Sequence, residues 1–219
     1  MEMFRDLRGR LGLRNLRGRL KLMALARWRP KERVVRQVGY QGAQLVVLAN
    51  EDVGWRLIVQ GHYEPLEWHC LEELISPEDT CVDVGANIGI YSILMARKAH
   101  LGRVIAFEPL PIYRAVLELN ARLNGLENIE IRASIVADQV RQEEFSVSVD
   151  GAYSSMRPTA RKAEARCITV PSVTLDASFA ALRRRIDILK VDVEGAELLI
   201  LRGARSLLSD PRLRPRALL

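Results

Sequence analysis

The apolar residues of this chain change their spacing repeatedly, and each change marks an element. In the first 33 residues Arg alternates with Leu. Phe4, Leu7 and Leu11 share one helical face, while Leu13, Leu16, Leu20 and Met23 share another that points nearly the opposite way. A stripe that changes side around Gly12 predicts two short helices or one kinked helix. From 34 to 60 the pattern turns β-like: the runs 44–49 and 55–60, separated by Asn-Glu-Asp-Val-Gly, predict a hairpin. Pro65 then opens a helix with Leu66, Cys70, Leu71, Leu74 and Ile75 as its inner stripe, ended by Ser76-Pro77.

A regular alternation follows. Thr80-Cys-Val-Asp-Val-Gly-Ala-Asn-Ile-Gly89 is an apolar run of strand type that breaks into glycines where a helix over 90–99 begins. A strand over 103–107 ends at Glu108-Pro109, a helix over 111–123 ends at Asn124-Gly125, and a strand runs from 128 to about 136. The segments 145–149 and 167–173 read as further strands around a polar loop, and 186–191 as the next core strand. A helix over 198–208 carries Leu199, Ile200, Ala204, Leu207 and Leu208 mostly on one side, and Ala217-Leu-Leu219 begins another strand. Strands and helices alternating at this spacing predict an α/β fold of right-handed βαβ units on a mostly parallel sheet. The expected division is a basic helical arm over 1–33, a hairpin and helix over 34–78, and a ligand-binding domain over 79–219.

Charge sharpens that division. The net charge of +6 resembles a nucleic-acid signal until it is located: residues 1–36 hold twelve Lys or Arg against three acids, leaving 21 basic and 24 acidic residues in the other 183. The basic character belongs to the arm. It fits an anionic membrane surface touched peripherally, an RNA, or a helix laid on the domain with its arginines in solvent; an organellar transit peptide fits less well, since Ser is nearly absent. Cys70, Cys81 and Cys167 are odd in number and widely spaced in apolar surroundings, as expected of reduced, packing cysteines in a cytoplasmic protein. No stretch approaches the ~18 apolar residues of a membrane span.

The chemistry gathers where strands end. Asp83 interrupts a buried strand, and a carboxylate there is costly unless paired or reserved for a ligand. Glu108 lies 25 residues further on at the end of the next strand, where an acid can accept both hydroxyls of a ribose. In an open parallel sheet Gly85, Glu108, Ser134 and Asp192 would converge outside the carboxyl ends of the strands. The glycine turn has one glycine fewer than a dinucleotide fingerprint, Asp83 would repel pyrophosphate, and no Gly-Lys-Ser/Thr occurs. An adenosine ligand with an amino acid end is therefore favoured over one with phosphates.

Asp83-Val-Gly-Ala-Asn-Ile-Gly89, Ala106-Phe-Glu-Pro109, Thr174-Leu-Asp176 and Leu189-Lys-Val-Asp-Val-Glu-Gly-Ala-Glu197 together resemble the FkbM family of S-adenosylmethionine-dependent methyltransferases, over about 63–204. The resemblance implies the class I methyltransferase fold, a Rossmann-like, mostly parallel sheet flanked by helices, here preceded by a hairpin and basic arm and lacking the C-terminal strands. It implies S-adenosyl-L-methionine as cofactor and O-methylation of natural products or sugars. Asp83, Gly85, Ala86, Asn87 and Gly89 would hold the methionine part, Glu108 with Pro109 the ribose, and Ser134 or Asp138 would lie near the adenine.

Methyl transfer to a hydroxyl calls for a base, and Asp192 is the first candidate, with binding of the cofactor's ammonium as its competing role. Glu194 and Glu197 beside it make three carboxylates within six residues, which suit either Mg²⁺ or the first turn of a helix; the helix reading, with no metal, is the simpler. Lys190 would pair with one of them. His62 or Glu64, on either side of Tyr63, would line the pocket, and Tyr153, Ser154 and Ser155 would form an acceptor lid or a solvated hairpin tip. The expected acceptor is a small molecule or saccharide. The alternatives are an RNA methyltransferase using the arm, although nucleic acid suits the slightly acidic domain poorly, and a non-catalytic cofactor-binding fragment.

Overall fold

The computed structural model describes residues 34–147, 166–180, 185–193 and 195–219. The arm over 1–33, the lid residues Tyr153, Ser154 and Ser155, and Glu194 lie outside the described residues. Strands β1 (Val35–Tyr40) and β2 (Ala43–Leu48) pair antiparallel across a two-residue turn, Gln41-Gly42, both at positive φ (49° and 73°). That is the turn whose twist suits a tight hairpin. The hairpin thus lies one element earlier than the apolar runs predict. The second run is instead a helix, α1 (Asp52–Gln60). Its β-branched residues are outweighed by helical spacing: Asp52 pairs with Arg56 at 2.7 Å one turn on, Val53 and Leu57 face the core, and Gly61 closes the end at φ 76°. Gly54 allows the helix to lie against β2, since a Cβ there would stand 2.1 Å from the Leu48 carbonyl oxygen.

Helix α2 (Pro65–Leu74) begins at Pro65 as its sequence predicts, but its inner stripe differs. Trp68 and Leu71 are buried and Ile75 partly so, whereas Leu66 is 76% exposed, Leu74 is partly exposed and Cys70 faces solvent. Cys167 is exposed too, leaving Cys81 alone among the three as a packing cysteine. Trp68 meets the Tyr40 ring edge-on at 5.2 Å, which ties α2 to the hairpin.

The main sheet is parallel, in the order β10-β9-β3-β4-β5. Its strands are β3 (Thr80–Val84), β4 (Arg103–Phe107), β5 (Ile129–Arg132), β9 (Ile188–Val191) and β10 (Ala217–Leu218). Helices α3 (Ile90–Lys98) and α4 (Pro111–Leu123) make the crossovers β3 to β4 and β4 to β5. β3 is buried along its whole length, and its alternation divides the core. Val82 and Val84, with Ile105, Phe107 and Leu189, pack on α5 (Leu175–Phe179), α6 (Glu197–Arg202) and α7 (Arg205–Ser209). Cys81, with Val104 and Ile188, belongs to the opposite layer of α3, α4, α2 and the hairpin.

The strand expected from 128 to 136 is broken after Arg132. Its last part, β6 (Ile135–Val136), leaves the main sheet and pairs with β8 (Arg166–Val173), which runs antiparallel to β7 (Arg141–Val147). The helix expected over 198–208 is split in two. Gly203 sits at the break, where a Cβ would stand 2.0 Å from the Ala137 carbonyl oxygen, and the Asp176 carboxylate accepts from the amides of Ser206 (2.9 Å) and Leu207 (2.8 Å). Ala217 and Leu218 form a parallel pair with β9, as the terminal apolar run predicts. Among the described residues no helix is long and apolar enough to cross a membrane.

The hairpin docks by side chains rather than by a strand ladder. On α4, fully buried Asn120 accepts from the Val46 amide (2.6 Å) and donates to the carbonyls of Val46 (3.1 Å) and Ile88 (2.8 Å). Asn124, one turn on, does the same with the amide (2.9 Å) and carbonyl (2.7 Å) of Gln44. The open edge of β2 is thereby satisfied. Replacing Asn120 with Ala strands several buried polar groups, and we expect a loss of about 2–4 kcal/mol in urea unfolding. A change below about 0.5 kcal/mol would show that water takes over these bonds.

Candidate functional site

β3 delivers the chain into a turn whose geometry is set residue by residue. Gly85 (φ 83°) and Ala86 both donate to the Phe107 carbonyl, at 3.1 and 3.0 Å. A Cβ on Gly85 would lie 2.2 Å from the Asp192 carbonyl oxygen, and one on Gly89 (φ 88°) 2.6 Å from Leu117. Both glycines are therefore required by the chain itself: one lets the turn pass the end of β9, the other lets α3 start against α4. Between them Asn87 also takes a positive φ of 52°, and its side-chain oxygen accepts from the Ile88 amide at 2.7 Å.

Glu108, at the end of β4, is buried beside this turn. Its Oε2 accepts from the Asn87 amide at 2.9 Å and its Oε1 from the Leu110 amide at 2.8 Å. Burial pushes the Glu108 carboxyl up to about 7, against the downward pull of those two amides and of Arg114.

These residues line a cavity of about 300 Å³ at the carboxyl ends of the strands. Gly85, Ala86 and Asn87 form one side with Glu108 and Pro109; Ser134, at the break between β5 and β6, continues it with Ile135 and Val136. Lys190 and Asp192 close the β9 side. The facing wall comes from before the main sheet, with Asp52 and Arg56 on α1 and Tyr63 and Glu64 on the loop to α2. Glu64 holds a left-handed backbone (φ 41°) and accepts from the Tyr91 hydroxyl at 2.7 Å. Burial first, and Glu64 second, push the Tyr63 and Tyr91 phenols above their ordinary range, so both remain hydroxyl donors. Tyr40 of the hairpin donates to the Tyr63 carbonyl at 2.8 Å and pins the loop.

Several expected site residues stand elsewhere. Asp83 is 1% exposed and lies beneath the turn, off the cavity lining. Its Oδ2 accepts from the Ser92 hydroxyl at 2.6 Å, and its Oδ1, with no hydrogen bond, lies 3.7 Å from Lys190 Nζ. Its charge is thus met from within, so it carries no direct argument about the ligand's charge. Gly89, Asp138 and His62 do not line the cavity either: Gly89 faces Leu117, Asp138 falls beyond the break that turns β6 away, and His62 precedes the two loop residues that do line it. Glu197 accepts from the Gly195 amide at 3.1 Å in the first turn of α6. Among the described residues no group of three His, Cys, Asp or Glu side chains is placed to hold a metal.

Lys190 pairs with Asp192, at 3.0 Å, and with Asp83. Its ammonium lies 4.4 Å from the centre of the Tyr91 ring. One half of this was legible, since residues two apart on a strand share a face. The other half depends on Asp83 and Lys190 being partners across β3 and β9, which needs the strand order.

The residues present fit an adenosine with a cationic end. A buried carboxyl edge faces a cavity of nucleoside size, and among the described residues the two lining cations, Arg56 and Lys190, are each engaged by a carboxylate (Asp52 at 2.7 Å, Asp192 at 3.0 Å) instead of facing a phosphate. A parallel sheet in this order, with a glycine turn after its middle strand and an acid after the next, defines a class I S-adenosylmethionine-dependent methyltransferase domain. The chain belongs to the FkbM methyltransferase family: residues 83–216 match the Methyltransferase FkbM domain.

Relatives include Methyltransferase sdnD of Sordaria araneosa, 30% identical over 167 residues that cover 62% of this chain and 64% of that protein. The AMB antimetabolite synthetase AmbE of Pseudomonas aeruginosa is 29% identical over 168 residues, which cover 59% of this chain and 8% of that protein. The chain thus spans under two thirds of either relative. Among solved structures, the M. jannaschii protein TYW2 in complex with AdoMet aligns with 50% of this chain and 53% of its own, at 16% identity and a TM-score of 0.38.

The Glu108 carboxyl has a folded value above its ordinary one of 4.5. Its contribution to stability is therefore fully present below about pH 4.5 and lost as pH rises through about 7. We expect the ligand-free chain to lose about 3 kcal/mol over that window from this group alone. Chemical unfolding of Glu108→Gln across pH 4.5 to 8 checks it: the variant should lack that part of the slope, and an unchanged slope would assign it to other groups.

Proposed function

We propose that this chain transfers the methyl group of S-adenosylmethionine to a hydroxyl of a small molecule, a natural product or a saccharide. The observation that carries the reading is Asp192, a carboxylate 55% exposed at the end of β9, on the rim of the cavity that Gly85, Asn87 and Glu108 line. When bound, the cofactor supplies a methyl carbon made electrophilic by its sulfonium. In this reading Glu108 accepts the ribose hydroxyls, the turn from Gly85 to Asn87 holds the methionine end, and Ser134 borders the adenine.

The remaining work falls to the chain's own side chains. An alcohol is a poor nucleophile while it keeps its proton, and Asp192 takes that proton as the new oxygen–carbon bond forms. Lys190 fixes its Oδ2, leaving Oδ1 to accept. The wall opposite supplies what a polyhydroxylated acceptor needs for orientation: the Tyr63 hydroxyl, the Glu64 carboxylate and the Tyr91 hydroxyl bound to it. A small-molecule acceptor is also supported by AmbE, whose name describes it as an antimetabolite synthetase. RNA as acceptor finds less support, because among the described lining residues carboxylates exceed cations and both of those cations are already engaged.

Isothermal calorimetry with S-adenosylmethionine and S-adenosylhomocysteine, then mass spectrometry of methylated products from a cell extract, tests the proposal. Absence of binding by either ligand would overturn it. With an acceptor in hand, Asp192→Asn should lower kcat about 10²- to 10⁴-fold while changing cofactor affinity far less. A rise in KM alone would remove Asp192 from the role of base.

A further inference from the structure

The arrangement around Lys190 is built like a cation site and is filled by the chain's own ammonium. Its three sides are Asp83 Oδ1 at 3.7 Å, Asp192 Oδ2 at 3.0 Å and the face of the Tyr91 ring at 4.4 Å. Two carboxylates and an aromatic face form the set of groups that recognises a cationic ligand. Asp83 Oδ1 is buried and makes no hydrogen bond, so only the ammonium compensates it. The Lys190 side chain, 8% exposed, nevertheless reaches the cavity lining, as does Asp192. Whatever lies in the cavity therefore meets the sum of these charges rather than Asp83 alone.

Methyl transfer changes the charge of the bound nucleoside from a sulfonium to a neutral thioether. We propose that Lys190 is a positioning residue that, through Asp83 and Asp192, sets how strongly this site prefers the cationic methyl donor over its neutral product. Without the ammonium two carboxylates stand uncompensated near the cavity, the donor is held more tightly than the product, and the discrimination rises. With it the group carries one net negative charge instead of two, and the preference for the cationic donor is smaller. The inference rests on the proposed binding of S-adenosylmethionine in this cavity.

The test is calorimetry on the full chain with S-adenosylmethionine and S-adenosylhomocysteine as probes, at low and high salt. Lys190→Met should shift the ratio of the two dissociation constants toward the donor by about fivefold, less at high salt, as expected for one unit charge at a partly solvated site. Lys190→Arg should restore the wild-type ratio. Asp83→Asn should shift it the other way, and the double variant Asp83→Asn with Lys190→Met, which removes one charge of each sign, should return to it. Should Lys190→Met fail to fold, the Asp83→Asn and double variants decide. A ratio unchanged across the folded variants, or equal losses for both ligands, would make Lys190 a purely structural counter-ion. If the wild-type chain binds neither ligand, the proposed function itself fails; if it binds both with a ratio indifferent to Lys190, only this inference does.

Discussion

The interaction on which the rest depends is the burial of one carboxylate. Asp83 sits in the middle strand of the sheet with almost no contact with water, a position that costs several kcal/mol for an uncompensated ion. Its compensation draws on two separate elements, α3 and β9. Ser92 comes from α3, Lys190 from β9, and Tyr91 supplies the ring against which the ammonium rests. The register of β3 against β9, the approach of α3 and the rim position of Asp192 are thus parts of one electrostatic solution. A buried ion pair of this kind adds little net stability, and what it fixes is geometry. Here the geometry is that of the cavity floor.

The two walls have different origins. The floor and the Glu108 side come from strand ends and from the turn Gly85 to Asn87, within the stretch that matches the family. The facing wall, with Arg56, Tyr63 and Glu64, lies before that stretch and is carried by α1 and its following loop. It is held by the hairpin through Tyr40, and the hairpin is held by Asn120 of α4, the helix that follows Glu108, and by Asn124 at the end of that helix. Position is thereby passed from the Glu108 side of the cavity to the opposite wall through side-chain amides.

The alternating strands and helices, the glycine turn, the acid within β3 and the acids after β4 and β9 were legible because each has a local signature: a change of period, a residue that tolerates positive φ, a polar residue in or ending an apolar run. The second half of the predicted hairpin is a helix although Trp55, Ile58 and Val59 favour a strand by type, because the Asp52 and Arg56 pair and the Gly54 contact that make it a helix work through spacing and tertiary packing. Gly85 and Gly89, which the family resemblance places at the methionine part of the cofactor, make room in the structure for Asp192 and Leu117, neither of which is near them in sequence. The partner of Asp83 was invisible for the same reason. Nothing along the chain says that β9 lies beside β3.

That last point bears on how the molecule assembles. The Thr80 amide and the Asp187 carboxylate, which join at the amino end of the same strand pair, are 107 residues apart, and Asp83 and Lys190 have the same separation. A contact across so long a loop is entropically late, and parallel pairing of this kind slows folding. The helices and β4 can collapse around β3 while its carboxylate still lacks a counter-ion. The pairing of β9 with β3 both supplies the counter-ion of Asp83 and sets Asp192 at the cavity rim. The floor of the site and the closure of the sheet are completed together, so a half-folded chain has neither.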